Sequence, residues 1–391
     1  MIEDLYIPRV PEMAELSLHD ALRRDRNNLD IVRLLFALMV IYGHSFHLTP
    51  GANQGDDLIY LYTGYYAGDL AIKGFFFISG ILVTSSLIAS RSPLKYLMAR
   101  VFRIIPALVV VTLIITLVIG PMVSTLPALR YFNTHETWRY LWRTSLLQIW
   151  NGQSLGYYYL PGVFTTNPFP NFVNAPLWSV NAEFYCYLLL LAVFLCTGLS
   201  KVSSSIMFCL IAVDSILPNK EIFYWIPQSN SDFSLLPLSF AFGSLLAVYQ
   251  GEIKLHASIL VGLLFVSYLI GGGNFGHIFG YAVFFVAILV FAASAVAMKL
   301  RLPRDVSYGV YLWGCPIQQL FAQFFPGAPH LVALTVCIGG SIILGYFSSI
   351  LIEEPAQTFG RWLVRRTPAL LLSKKSPGAE TPATASPAAL R

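Results

Sequence analysis

Arg33 and His44 stand eleven positions apart within the first membrane-length apolar run of the chain, residues 31–49. An ionisable side chain is costly to hold inside a bilayer span, so two in one span require a chemical reason. Eleven steps at 3.6 residues per turn complete almost three turns, which puts both side chains on one helix face about 16 Å apart along the axis. A guanidinium holds anions through forked hydrogen bonds, and a neutral imidazole can take a proton from an alcohol at physiological pH. The pair suits a long ligand with an anionic end and a reactive end.

Other candidate groups cluster near the same two depths. Arg100 and Arg103, in Met98-Ala99-Arg100-Val101-Phe102-Arg103-Ile104-Ile105-Pro106, are three apart and can face the same way. Alone they read equally as anchors that snorkel to lipid headgroups; with Arg33 at the same depth, three guanidiniums converge on one mouth and can bind phosphates. Glu183 follows Trp178-Ser179-Val180-Asn181-Ala182 and opens the fourth apolar run at the depth where His44 ends. A carboxylate entering a membrane needs a partner, and the His44 imidazole or Lys73 is the expected one. As an alternative, Glu183 only stabilises a helix N-terminus. Lys73, in Asp69-Leu70-Ala71-Ile72-Lys73-Gly74, has a stem long enough to snorkel. The segment Ser307-Tyr308-Gly309-Val310-Tyr311-Leu312-Trp313-Gly314-Cys315-Pro316 opens a later run, with a proline expected to kink its helix.

The elements that must position these groups are transmembrane helices. A chain of 391 residues with 56% apolar, 14% aromatic and only 12% charged residues is too apolar for a soluble domain of this size. Apolar runs predict an all-α, multi-pass integral membrane protein of about ten helices. They lie at 31–49, 70–90, 104–126, 178–199, 203–218, 233–250, 255–272, 277–298, 307–325 and 331–352. The runs belong to one membrane domain, 29–366, between an N-terminal segment, 1–28, and a low-complexity tail, 367–391, expected to be disordered.

Lys and Arg placement predicts both termini in the cytoplasm. On that orientation the inside holds Arg9, Arg23, Arg24 and Arg26, then Arg91, Lys95, Arg100 and Arg103, then Lys201, Lys254, Lys299, Arg301 and Arg304, and a basic stretch from Arg361 to Lys375. The outside receives only Arg130, Arg139, Arg143 and Lys220. The net charge of +5 is therefore topological and does not point to nucleic acid. The five cysteines, at 186, 196, 209, 315 and 337, have no metal-ligand spacing and read as small buried residues. No removable leader is expected at the N-terminus. The longest outer loop, about 127–177, carries Trp138, Trp142, Trp150, Tyr157, Tyr158 and Tyr159, which suit either sugar rings or an interfacial belt.

Taken in order, Arg33 and His44, Phe75-Phe76-Phe77-Ile78-Ser79-Gly80, Arg100-x-x-Arg103 with Ile-Ile-Pro, Trp178-Ser179 with Glu183 and Tyr187, Ser307 to Trp313, and Glu353-x-Pro355 resemble the membrane-bound acyltransferase-3 family over about residues 29–366. The resemblance implies a ten-helix core in the bacterial inner membrane. Such a core takes an acyl group, usually acetyl, from cytoplasmic acyl-CoA to a hydroxyl of a cell-surface or lipid-linked glycan, such as exopolysaccharide or O-antigen. Acyl-CoA is then a co-substrate, and no permanently bound cofactor or metal is expected. The resemblance makes His44 the catalytic histidine and Glu183 an acceptor-side or histidine-orienting carboxylate. It puts Arg33, Arg100 and Arg103 at the coenzyme A end and Trp178, Ser179, Asn181, Lys73 and Tyr311 on the acceptor side.

Three positions depart from the family pattern. Phe184 stands where many members have a second acid, Lys73 where an acid commonly precedes the Phe-Phe motif, and Gly314, in Trp313-Gly314-Cys315-Pro316, where the family often has the histidine of Trp-His-x-Pro. The alternative from another class is a transporter or flippase of a lipid-linked saccharide, although no inverted repeat is evident.

Overall fold

The computed structural model describes residues 16–23, 25–49, 52–53, 57–146, 159–216, 235–271 and 274–366. Each of the ten expected runs falls on a helix: α1 (Leu29–Leu48), α2 (Ala67–Ser90), α3 (Pro93–Ile114), α4 (Trp178–Thr197), α5 (Lys201–Ile216), α6 (Leu236–Val248), α7 (Ala257–Ile270), α8 (Asn274–Ala292), α9 (Ser307–Phe324) and α10 (His330–Ser348). A further helix, α11 (Glu354–Arg366), follows α10 through a π-helical turn, Ser349–Glu353. Strand structure among the described residues is a two-residue antiparallel pair, Leu16–Ser17 with Lys254–Leu255.

The fold is all-α and membrane-embedded. Among the described residues, five helical stretches are long and apolar enough to cross a bilayer: Leu29–Leu48, Ala67–Ser90, Pro93–Val123, Ala175–Thr197 and His330–Arg366. Helices α6, α7 and α8 include shorter apolar stretches. Large apolar side chains point outward, among them Val261, Phe265 and Leu269 on α7 and Leu331, Ile343 and Phe347 on α10. A soluble monomer does not expose apolar surface on that scale. The buried face of α9 explains why it lacks the apolarity of a lipid-facing span: it carries Gln318 and Gln319, both buried, bonded to backbone carbonyls of Ile41, Phe169 and Phe172.

Local chemistry sets the helix starts. Asn28 caps α1 by accepting from the Ile31 amide at 3.1 Å, and Asp30 complements the dipole in the first turn. Ser92 caps α3, with Pro93 in its first turn. That start lies eleven residues before the apolar run at 104, because the first turns of α3 are amphipathic and carry Lys95, Arg100 and Arg103 inside the helix. Apolarity marks where a helix meets lipid, and the capping residues mark where it begins. Helix α9 runs on through Pro316.

Packing centres on α1, α2 and α9. Helix α2 lies along α6 at a separation that only glycine allows, since a Cβ on Gly80 would stand 2.2 Å from the Phe240 carbonyl oxygen. Phe77 on α2 stacks on Phe285 of α8 at 4.5 Å between ring centres. Helix α9 packs against both α1 and α10, and α11 packs along α3. Connections expected on one side of the membrane do meet. The 16–17 strand pairs with 254–255, Asn28 donates to the Ala297 carbonyl, Lys201 pairs with Glu252, and Arg304 pairs with Glu354 at 2.9 Å.

Candidate functional site

Helix α1 is unbroken between Arg33 and His44, so the eleven-residue spacing delivers them to opposite mouths of the bundle. At the Arg33 mouth an acid that the motifs did not single out takes charge. Asp305 Oδ2 accepts from Arg33 Nη1 and from Arg103 Nη2, each at 2.6 Å, tying α1 and α3 to the start of α9. Its other oxygen accepts from the Ser307 amide and hydroxyl. Burial by itself would raise the Asp305 carboxyl, but Arg33 and Arg103 together with Ser307 overcome it and hold the group below the ordinary carboxylate range. Of the three arginines expected to converge on phosphates, Arg33 and Arg103 thus share one carboxylate oxygen.

Beside this clamp lies a cavity of about 430 Å³ between α3 and α11, lined by Lys95, Tyr96, Arg100, Arg103, Gln357, Arg361 and Arg365 among others. Arg33 is not part of its lining. Arg100 spreads over the Tyr187 ring at 5.8 Å, and its Nε is buried without a hydrogen-bond partner.

Tyr187 leads to Glu183. Its hydroxyl donates to Glu183 Oε1 at 2.5 Å; Ser79 Oγ donates to the same oxygen, and the two hydroxyls are 3.2 Å apart. Tyr96 donates to the Tyr187 carbonyl at 3.0 Å. Glu183 was expected beside His44 or Lys73. The structure places it one turn into α4, with Ser79 at the middle of α2, and its hydrogen bonds reach neither residue. Two hydroxyl donors do for this half-buried carboxylate what His44 or Lys73 was expected to do.

The His44 mouth is a second cavity, of about 400 Å³, lined by His44, His47, Tyr66, Asp69, Phe169, Pro176, Trp178, Tyr311 and Cys315 among others. The His44 ring lies 6.4 Å from that of Tyr66, and no described residue hydrogen-bonds it, so both ring nitrogens are left for a ligand. Gly43 permits this crowding, because a Cβ there would meet the Gly68 amide at 2.9 Å and the Tyr66 ring at 3.0 Å. On α2, Ile72 lines this cavity and Ser86 the basic one, fourteen residues and about 21 Å apart along the helix.

The acceptor-side candidates divide. Trp178 and Tyr311 line the His44 cavity. Ser179 supports Tyr311 from behind: their hydroxyls are 2.6 Å apart, and Tyr311 also donates to the Pro176 carbonyl at 2.6 Å. Asn181 is buried with its Oδ1 unpartnered and is absent from the cavity lining. Lys73 is 2% exposed, in an ion pair with Asp69 and over the Tyr281 ring at 4.8 Å, and Tyr281 donates to the same Asp69. Asp69 is thus the carboxylate in the lining of the His44 cavity, where Glu183 had been expected.

Cys186, Cys315 and Cys337 are buried free thiols, whereas Cys196 and Cys209 are exposed, against the expectation of five buried cysteines. Of the outer-loop aromatics, Trp138, Trp142 and Tyr159 are exposed; Trp150, Tyr157 and Tyr158 lie outside the described residues, as do the tail and residues 1–15.

A profile described as an acyltransferase domain matches residues 26–352. The chain belongs to the acyltransferase-3 family. It is similar to an O-acetyl transferase of Shigella phage Sf6, 27% identical over 361 residues that cover 88% of this chain and 98% of the phage protein. A shorter stretch of 90 residues is 38% identical to Nodulation protein 10 of Rhizobium leguminosarum bv. viciae, covering 22% of this chain and 23% of that one. No solved structure gives a significant match. Family membership assigns acyl transfer to this membrane protein, in place of the saccharide-transporter alternative. Asp305 and Asp69 are the acids that the sequence reading missed. Asp305 carries a weak signal, as an acid at the end of Arg301-Leu302-Pro303-Arg304 just before a helix; Asp69 lies in the quoted Lys73 segment, four residues ahead of it.

Proposed function

We propose that the chain is an acyl-CoA-dependent O-acyltransferase of the bacterial inner membrane, with both termini cytoplasmic. It moves an acetyl group to a hydroxyl of a cell-surface or lipid-linked glycan such as exopolysaccharide or O-antigen. The observation that carries this reading is the pair of opposed cavities, one basic and one built around His44, within a chain similar along its length to an O-acetyl transferase.

The donor's phosphates lie in the basic cavity on Arg100 and Arg103, and its pantetheine arm runs into the bundle towards His44. An acceptor hydroxyl enters the His44 cavity from outside, where Trp178 offers a flat face to a sugar ring and Tyr311 also lines the wall. The neutral His44 imidazole takes the hydroxyl proton as the oxygen attacks the thioester carbonyl. The carbon–sulfur bond breaks, and the coenzyme A thiolate leaves and takes up the proton from the imidazolium. Asp69 lies in the same cavity lining, with its charge matched by Lys73. Arg33 acts through the Asp305 clamp, fixing α1 and so the depth of His44, while Glu183 and Ser79 hold Tyr187 under Arg100.

Purified protein incubated with radiolabelled acetyl-CoA and lipid-linked glycan from its own cells tests the reading directly. Label on a glycan hydroxyl is the expected result. Absence of label on any glycan, with the protein folded and acetyl-CoA bound, rejects it.

A further inference from the structure

The cavity between α3 and α11 carries more cations than its acids compensate. Lys95, Arg100, Arg103, Arg361 and Arg365 line it, and no acid does. Arg103 is engaged by Asp305; no described carboxylate forms an ion pair with Lys95, Arg100, Arg361 or Arg365, and Arg361 donates to Thr358 at 2.9 Å. Like charges gathered around a concave wall repel one another unless an anion sits among them, and an uncompensated basic cleft raises the local concentration of such an anion. Its volume of about 430 Å³ is that of a pocket for a small ligand rather than of a flat lipid-facing patch.

Helix α11 supplies Arg361 and Arg365, four residues apart and so on one face, and it is held along α3 by Phe359 against Phe102 at 5.7 Å between ring centres. The family profile ends at residue 352, so α11 lies beyond it. Both arginines are exposed at the rim, whereas Arg100, with its buried Nε, lies at the inner end against Tyr187.

We infer that α11 completes the donor site: Lys95, Arg361 and Arg365 bind the 3′-phosphate of coenzyme A, and Arg100 takes the pyrophosphate nearer the membrane. This rests on the acyl-CoA reading above and extends it to one phosphate. Guanidiniums match phosphate oxygens with paired hydrogen bonds, and the ammonium of Lys95 adds a point charge. The site would let the enzyme distinguish coenzyme A from dephospho-coenzyme A, which lacks that phosphate. The headgroup of an anionic lipid offers the same phosphate chemistry, so the test must separate the two sources.

Binding of coenzyme A and of dephospho-coenzyme A is measured by calorimetry on the full-length protein in nanodiscs of zwitterionic lipid, for the wild type, R361A/R365A, K95A and R366A. The wild type is expected to bind coenzyme A at least about tenfold more tightly than dephospho-coenzyme A, the equivalent of one charged hydrogen-bond set. R361A/R365A should abolish that preference while leaving dephospho-coenzyme A binding unchanged. K95A should reduce it, and R366A, whose guanidinium sits over Trp362 outside the cavity lining, should leave it intact. Both target arginines are exposed, so the fold is preserved. A wild type that binds the two ligands equally, or a double variant that keeps the preference, overturns the inference while the acyl-CoA reading stands. A wild type that binds neither ligand overturns both. Repeating the titration in phosphatidylglycerol nanodiscs gives the lipid arm: if phosphatidylglycerol suppresses coenzyme A binding in the wild type and not in the double variant, with no preference in zwitterionic lipid, the cavity is a headgroup site and the inference fails.

Discussion

The two ends of α1 handle their polar residue in opposite ways. At the N-terminal end Arg33 is tied at 2.6 Å to Asp305, 272 residues away in the chain, and the same oxygen holds Arg103. At the C-terminal end the His44 ring has no hydrogen bond to any described residue and opens onto a cavity of about 400 Å³. A buried charge must be neutralised by something, so the Arg33 end is closed by its own protein partner and serves position. An imidazole can stay neutral in an apolar place, so the His44 end can be left open for a substrate. Helix α1 thus joins a fixed anchor to an open reactive group.

Removing the reactive end should have the largest effect on activity. H44A is expected to lower acyl transfer by about a thousandfold or more, the scale of a lost general base, with acetyl-CoA affinity within about twofold of wild type. Radiolabel transfer and calorimetry on the same preparation read both quantities; a variant that transfers normally would break the division between the two ends.

Removing the anchor should instead cost stability. D305A leaves two guanidiniums without their carboxylate, and a loss of about 3 kcal/mol is expected, seen as a lower midpoint of thermal unfolding in detergent. An unchanged midpoint would show that the clamp is not what holds α1 to α3 and α9. The double variant R33A/D305A should recover part of the loss, because it leaves one unpaired charge in place of two.

The same clamp predicts a pH dependence. The Asp305 carboxyl is held below its ordinary value in the folded protein, so its contribution is fully present above the unfolded value near 3.8 and is lost as pH falls through the lower folded value. Stability of the wild type should therefore carry an acid limb below about pH 4 that D305N, already deprived of the charge, does not share. Parallel limbs in both proteins would contradict the assignment.

The smallest expected effect is at the cavity wall. Y311F removes a hydroxyl that bonds Ser179 and the Pro176 carbonyl, and the acceptor KM should rise by a few fold, about 1 kcal/mol, with the donor KM unchanged. A change in donor KM would mean that the two cavities are coupled more directly than their separation along α2 implies.

What could be read from the chain, and what could not, divides along the range of the interactions. The segments that become α1 to α10 were legible because lipid exposure demands apolar runs, and a run is a local property. The spacing of Arg33 and His44 was legible because a helix has a fixed rise, so eleven residues of one unbroken helix fix a distance and a face. Helix α11 escaped because it is amphipathic, as did the first turns of α3, and a search for apolar runs passes over both.

Sequence alone therefore determined the membrane class, the helical segments and the family to which their motifs belong. Partnership was decided only by the tertiary structure. Glu183 was expected to find His44 or Lys73 at its own depth and Lys73 was read as able to snorkel, and depth along the membrane was all that the sequence supplied. Rotation of each helix about its axis chose Ser79 and Tyr187 for Glu183, Asp69 for Lys73 and Asp305 for both Arg33 and Arg103. That rotation is set by close contacts such as Gly80 against Phe240, which involve residues far apart in the chain and leave no periodic trace in it.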